Sequence, residues 1–325
     1  MESNTNIVFV LSNQDDYSTH KLLDCLMYKK INYILLNEIT QLKFIQAKIK
    51  NNDVDYTIEV DGEQLSISSI KSFFYRRHYF KLDSYKSFDI QLELKARKFQ
   101  TYKNKEIESL EVLFIKLLTE KGNYIGDYFN SNLNKNYQLY NALKVGLNVP
   151  DSCVTINIDD AHKTLNKPII TKSIQHQLGF VDKDKFYGLY TSKINNEDKL
   201  VNFFPTQFQT MIEKLYELRI FYLKGSLFSM AIFSQNDTQT EVDFRHYNNK
   251  NPNRFIPYKL PKTIETKIKK LMKLLNLTTG SIDMILTKKK EYVYLEVNPV
   301  GQYDMVSVPC NYYLDKIIAN HLINN

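Results

Sequence analysis

The chain has 325 residues, 43% of them hydrophobic and 13% aromatic, which is long for a single core and too apolar for a disordered chain. Its 43 Lys and Arg against 36 Asp and Glu leave a net charge of +7, a mild bias that suits anionic ligands such as nucleotide phosphates or an acidic peptide and makes no case for nucleic acid. No apolar run reaches the ~18–20 residues that cross a bilayer, so no membrane partner is expected. The start, Met1-Glu2-Ser3-Asn4-Thr5-Asn6, lacks the basic and apolar stretches of a secretion signal. Cys25, Cys153 and Cys310 are odd in number and widely spaced, which argues against a disulfide framework or a zinc site and fits a reducing cytoplasm.

In chain order, Asn6 to Leu11 reads as a buried strand, Ser18 to Lys30 as a helix with Leu22, Leu23, Leu26 and Met27 inward, and Asn32 to Leu36 as a second strand. This is a βαβ opening without a G-x-G-x-x-G, so no dinucleotide site is supported. Tyr56 to Ser68 reads as a hairpin turning at Asp61-Gly62, followed by a strand from Ser69 that ends in Arg76-Arg77. A helical tract from about Asp89 to Glu120 closes this part at Lys121-Gly122. Beyond it, a polar loop leads to a helix with Leu139, Ala142, Leu143 and Val145, stopped by Gly146 and Pro150. Lys167 to Lys172 reads as a strand, and Phe203, Phe204 and Phe208 read as core. Glu213 and Glu217 are spaced as one helical turn, and either could pair with Lys214. Strands follow at Leu218 to Leu223 and Ser226 to Phe233, joined at Lys224-Gly225, and Asp243 to Pro261 reads as polar and irregular. Thr263 to Leu275 reads as a helix with Ile264, Ile268, Leu271 and Leu275 on one stripe and its lysines solvated, and the last helix runs from about Asn311 to Leu322.

Between these last helices lie two apolar runs, Ile282 to Leu286 and Tyr292 to Pro299, separated by a polar segment that can turn. A four-residue loop at Lys288 to Glu291 sets Asp283 opposite Glu296 and places Met284, Leu286, Val293, Leu295 and Val297 on one face. Asp283, Glu296 and Asn298 then share the other face. Opposed carboxylates about 4.5–5.5 Å apart repel, so two of them and an amide oxygen call for a cation. Hard oxygen ligands, few in number, suit Mg²⁺ shared with nucleotide phosphates.

With these landmarks in order, the stretch from about 130 to 320 resembles an ATP-grasp ligase preceded by a pre-ATP-grasp α/β domain. The expected division is 1–128, then a central subdomain at 129–212 and a C-terminal subdomain with the metal site at 213–325. The closer resemblance is to the ATP-grasp peptide maturases that make graspetides. It rests on Ile70-Lys71-Ser72-Phe73-Phe74-Tyr75-Arg76-Arg77, Tyr216-Glu217-Leu218-Arg219, Asn251-Pro252-Asn253-Arg254-Phe255 and Glu296-Val297-Asn298-Pro299-Val300-Gly301-Gln302-Tyr303. The resemblance implies ATP and Mg²⁺ as cofactors, with Lys135, Lys172, the Gln209-Thr210-Met211-Ile212-Glu213 hinge and Glu217 on the nucleotide, and Asp283, Glu296 and Asn298 on the metal. It implies Arg219 and Arg245 (within Asp243-Phe244-Arg245) as catalytic, and Arg76, Arg77, His246 and Arg254 on the substrate.

The implied substrate is a precursor peptide, leader plus acidic core, and a homodimer is a family-level expectation. The implied reaction phosphorylates an Asp or Glu side chain and joins it to a Ser, Thr or Lys side chain as an ω-ester or ω-amide. Two departures stand out. Ser173-Ile174-Gln175-His176-Gln177-Leu178-Gly179, after Lys172, holds one glycine where many relatives carry a glycine-rich loop, and Phe74 replaces the tryptophan often found before Tyr-Arg-Arg. Competing readings are a ligase that adds amino acids to a protein or small molecule, and a nucleotide-binding scaffold without turnover.

Overall fold

The structure, a computed structural model, describes residues 6–51, 53–83, 93–166, 168–175, 179–182, 185–188, 191–194, 203–234 and 253–324. The chain divides into two compact units, Met1–Tyr128 with Tyr313–Asn325, and Phe129–Tyr312. In the first, β1 (Ile7–Leu11) is buried at every position, as its unbroken apolar run demands of a central parallel strand. It pairs in parallel with β2 (Tyr33–Leu36), reached through α1 (Tyr17–Tyr28). Asp16 starts that helix by accepting the Thr19 N–H at 3.0 Å.

Between β2 and the next strand of this sheet the chain makes an antiparallel meander of β3 (Leu42–Lys50), β4 (Asp53–Val60) and β5 (Glu63–Ser66). Its second turn is Asp61-Gly62, both at positive φ, as a two-residue hairpin turn requires. Strand β6 (Ile70–Tyr75) then returns to the other side of β1, followed by α2 (Glu93–Glu120) and β7 (Tyr124–Ile125), giving the order β2-β1-β6-β7. Phe114 of α2 anchors the core, with its ring 5.6 Å from Phe9, 5.0 Å from Tyr56 and 4.6 Å from Phe80.

The second unit opens with α3 (Lys135–Lys144). A four-stranded sheet follows, ordered β12-β9-β13-β8, from β8 (Ser152–Thr155), β9 (Ile169–Lys172), β12 (Ser192–Lys193) and β13 (Thr206–Thr210). One face packs Ile169 and Phe208 against Ala161 and Leu165 of and beside α4 (Ile158–Thr164). Phe203 joins this core, whereas Phe204 is exposed. Strands β10 (Gly179–Asp182) and β11 (Lys185–Gly188) form a separate hairpin.

A five-stranded antiparallel sheet completes the unit, ordered β16-β15-β14-β17-β18, from β14 (Lys214–Leu223), β15 (Ser226–Phe233), β16 (Arg254–Tyr258), β17 (Thr279–Thr287) and β18 (Tyr292–Asn298). Leu218, Ile220, Ala231, Ile282, Met284, Tyr294 and Val297 pack one face of it against Leu139 and Ala142 of α3 and Ile268 and Leu271 of α5 (Lys262–Leu274). On the other face Met230 and Ile232 meet Val306 and Cys310 of α6 (Asp304–Cys310).

Several expectations need correction. Glu213 and Glu217 are not on a helix, because β14 begins at Lys214 and runs extended through Glu217. The stretch expected to be irregular before Pro261 contains β16, an edge strand whose Pro257 is tolerated where no neighbour needs its missing N–H. The final helix α7 (Leu314–Asn324) packs in the first unit, not with the last subdomain. Leu314, Ile318, Ala319 and Leu322 give it a buried stripe, and its Leu322 and Ile323 carbonyls accept from Asn123 and Lys71.

The hairpin β17–β18 also differs at its turn. The loop is Lys288–Lys290, three residues with Lys290 at φ 65°, so Leu286 faces Tyr292 and Met284 faces Tyr294. Tyr294, rather than Leu295, therefore enters the core. A register shift between Asp283 and Met284 then restores the pairing of Asp283 with Glu296. Gln138 of α3 holds this corner: its buried Oε1 accepts from the Tyr294 hydroxyl at 3.1 Å and from the Val297 N–H at 2.8 Å. Gln138→Leu would leave two buried donors unmatched, each worth ~1–3 kcal/mol. Urea denaturation is expected to show the loss, and an unchanged midpoint would refute the clamp.

Candidate active site

Alternation along β14 sends Leu218, Ile220 and Tyr222 into the main core and Glu217 and Arg219 to the opposite face. On β17 the same rule sends Ile282 and Met284 inward and Asp283 outward beside Arg219, its direct cross-strand partner. Arg219 Nη1 reaches both Asp283 oxygens at 2.6 Å. Asp283 faces Glu296, and Asn298 lies further along the same face opposite Ser281. Lys135, at the start of α3, places its Nζ 3.1 Å from Glu296 Oε2. The two carboxylates are thus met by two side-chain cations, one from the neighbouring strand and one from a helix on another segment.

A second register shift, between Lys214 and Tyr216, turns Lys214 to this face opposite Thr287. There the buried Lys214 ammonium is in close contact with Glu217 Oε1, which also accepts from Ser234 Oγ at 3.1 Å. Burial pushes the Glu217 carboxyl up, against the downward pull of Lys214. Glu213, by contrast, is exposed, 3.4 Å from Lys288. The expected pairing of Lys214 falls to Glu217, not Glu213; Ser234 and Gln138 were not singled out from the sequence, and the bulge that turns Lys214 to this face is announced by no periodicity.

In the four-stranded sheet, Lys172 ends β9 half-buried. Gln175, three residues on, donates from Nε2 to Asn132 Oδ1 at 2.5 Å and to the Leu133 carbonyl at 3.0 Å, which ties the end of β9 to the loop before Lys135. Gln209 is buried, and its Nε2 donates to Ser152 Oγ at 2.8 Å. Met211 donates its N–H to the Pro168 carbonyl at 2.8 Å, and it and Ile212 are half-buried in the link from β13 to β14. Arg254 sits on the other face of the five-stranded sheet, its guanidinium 6.0 Å from the Phe233 ring centre, so it is not gathered with Arg219 and the carboxylates. Arg76 and Arg77 belong to the first unit, each 3.5 Å from Asp16 Oδ2, with Arg76 buried. Arg245 and His246 lie outside the described residues.

The donor set fits a hard divalent cation: two carboxylates and one amide oxygen on one face. Among the described residues no three His, Cys, Asp or Glu side chains cluster, so Asn298 would be the third donor. Arg219 Nε is buried without a hydrogen-bond partner, so the guanidinium keeps unused donor capacity for an anion. No described helix is long and apolar enough to cross a membrane.

The chain has the ATP-grasp fold. It superposes on an ATP-grasp ligase associated with ribosomal-peptide modification from Chryseobacterium gregarium, in complex with ADP and a leader and core peptide, with a TM-score of 0.75 and 22% identity over 98% of this chain and 96% of that one. The macrocyclase MdnC of Microcystis aeruginosa MRC, bound with precursor peptide MdnA, gives 0.73 and 23% over 98% and 100%. VanG D-Ala:D-Ser ligase of Enterococcus faecalis gives 0.55 and 12% over 98% of both. No protein-family model matches the chain, and no curated protein is a close match in sequence.

The Lys214–Glu217 contact makes a titration prediction. The Glu217 carboxyl is expected to titrate above its ordinary 4.5, followed by carbon-detected NMR. In Lys214→Met the midpoint should rise further, because the ammonium is the main influence lowering it. A midpoint that stays or falls would show that the pair is not coupled.

Proposed function

We propose that this chain is an ATP- and Mg²⁺-dependent peptide ligase that activates Asp or Glu side chains of a precursor peptide and closes them onto Ser, Thr or Lys side chains of the same peptide. The observation that carries the reading is the opposed pair Asp283 and Glu296, neutralised by Arg219 and Lys135 on an ATP-grasp fold. Structures of like fold hold ADP with leader and core peptide, or a precursor peptide. In this reading Asp283, Glu296 and Asn298 hold Mg²⁺, which when bound offsets the charge that builds on the phosphates. Lys135 and Lys172 serve the phosphates as point charges, and Arg219 and Arg245 present planar forks. Gln209, Met211, Ile212 and Glu217 line the nucleotide. Arg76, Arg77, Arg254 and His246 bear on the peptide. We also keep the division of the second unit at 212/213, supported by the separate cores beneath its two larger sheets.

The substrate carboxylate takes the terminal phosphoryl group and ADP leaves. A hydroxyl or amine of the same peptide then attacks the acyl carbon, phosphate leaves, and the net change is loss of one water per ring. The protein supplies no covalent nucleophile, so its task is placement and charge compensation.

Incubation with ATP, Mg²⁺ and a small acidic peptide containing Ser, Thr or Lys and encoded beside this gene is expected to yield a product lighter by one or more waters, with matching ADP, by intact mass. A gain of one amino acid would favour an adding ligase, and an unchanged mass with no ADP would refute the reading for that peptide. Asp283→Asn should reduce turnover at least ~10²-fold. Arg219→Lys should cost a similar ~10²-fold despite its retained charge, as loss of one preorganised donor typically does. Wild-type rates in either variant would remove that residue from the machinery.

A further inference from the structure

Gln207 lies in the middle of the four-stranded sheet on β13, with Lys172 directly opposite on β9 and Val154 on β8. Phe208 beside it points into the apolar core, so alternation puts Gln207 on the other face, together with Gln209, Lys172 and Lys193. Gln207 is fully buried, and neither its Nε2 nor its Oε1 has a hydrogen-bond partner. Gln209, two residues on and on the same face, is in contrast engaged with Ser152.

An unmatched buried carboxamide destabilises a fold, and an apolar residue of the same shape would be neutral or better there. Such a group is explained when a ligand completes it. The unmet pair is one donor beside one acceptor. Phosphate oxygens would satisfy only the donor, whereas a purine bearing an exocyclic amine next to a ring nitrogen offers both partners in one plane. Gln can pair bidentately with the N6/N7 edge of adenine in this way.

We propose that the Gln207 carboxamide reads the base of the bound nucleotide, with Oε1 accepting from the 6-amino group of adenine and Nε2 donating to the adjacent ring nitrogen. This rests on the nucleotide-binding reading above and adds a specificity-determining residue to it. Lys172, its cross-strand neighbour, is then left for the phosphates.

The test is a thermodynamic cycle on the full-length protein, using ADP and its analogue lacking the 6-amino group, purine riboside 5′-diphosphate, by titration calorimetry with Mg²⁺. Wild type is expected to bind ADP about tenfold or more tightly than the analogue, in line with the ~1–3 kcal/mol of discrimination carried by a bidentate contact. Gln207→Leu should erase that ratio by weakening ADP alone, with the melting temperature of the free protein unchanged or raised. Gln207→Met provides the same test should Leu fold poorly. A preserved ratio in the variants overturns the proposal, as does equal weakening of both ligands with a lowered melting temperature, which marks a structural glutamine. A wild type that binds neither ligand overturns the nucleotide reading itself, a result distinct from binding without discrimination.

Discussion

The second unit is organised around one unfavourable contact: two carboxylates set directly across from each other on adjacent antiparallel strands. Left alone, Asp283 and Glu296 would push β17 and β18 apart or capture protons. Two cations prevent this, and they come from different directions. Arg219 approaches along the sheet from β14, while Lys135 descends from the start of α3. The charge pair therefore links strand pairing to helix placement. Gln138, one turn after Lys135, extends the link by gripping the backbone of β18 beside Glu296.

Two register shifts make the arrangement possible. One lies between Asp283 and Met284 and the other between Lys214 and Tyr216. Each moves a charged residue to the polar face while the apolar residues around it stay in the core. At Gly301 the chain after β18 crosses so close to β17 that an added Cβ would lie 2.3 Å from Ser281 Cβ. That close approach keeps Asn298 at the edge of the site and explains the glycine that follows Pro299-Val300.

Much of this was legible in the sequence, for identifiable reasons. The pairing of Asp283 with Glu296 followed from period-two patterning in two apolar runs, and the Lys224-Gly225 and Asp61-Gly62 turns followed from residues that accept positive φ. What stayed hidden depended on one-residue displacements. The turn after Thr287 is one residue shorter than expected, and the bulge downstream cancels the slip, so the acid pair came out right while Val293 and Leu295 were assigned to the wrong face. The bulge that turns Lys214 to the face of Glu217 was invisible for the same reason, although their pairing was expected. The location of α7 was beyond local reading, because its buried stripe names no partner until α1, β6 and β7 are assembled in space.

The resting ion pairs also define what a ligand has to exchange. Each carboxylate is already compensated, so a divalent cation gains less at this site than it would at two bare acids, because it competes with Arg219 and Lys135 for the same oxygens. Displacement leaves an arginine and a lysine uncompensated on a partly buried face, a state that is costly unless an anion arrives with the metal. Asp283 and Glu296 would hold the metal of a polyphosphate chelate while Arg219 and Lys135, so released, would meet its phosphate oxygens, which would satisfy both demands together. In the proposed reading the four side chains would thus favour a metal–nucleotide complex over either component alone, with the buried, unpartnered Nε of Arg219 as donor capacity already in place.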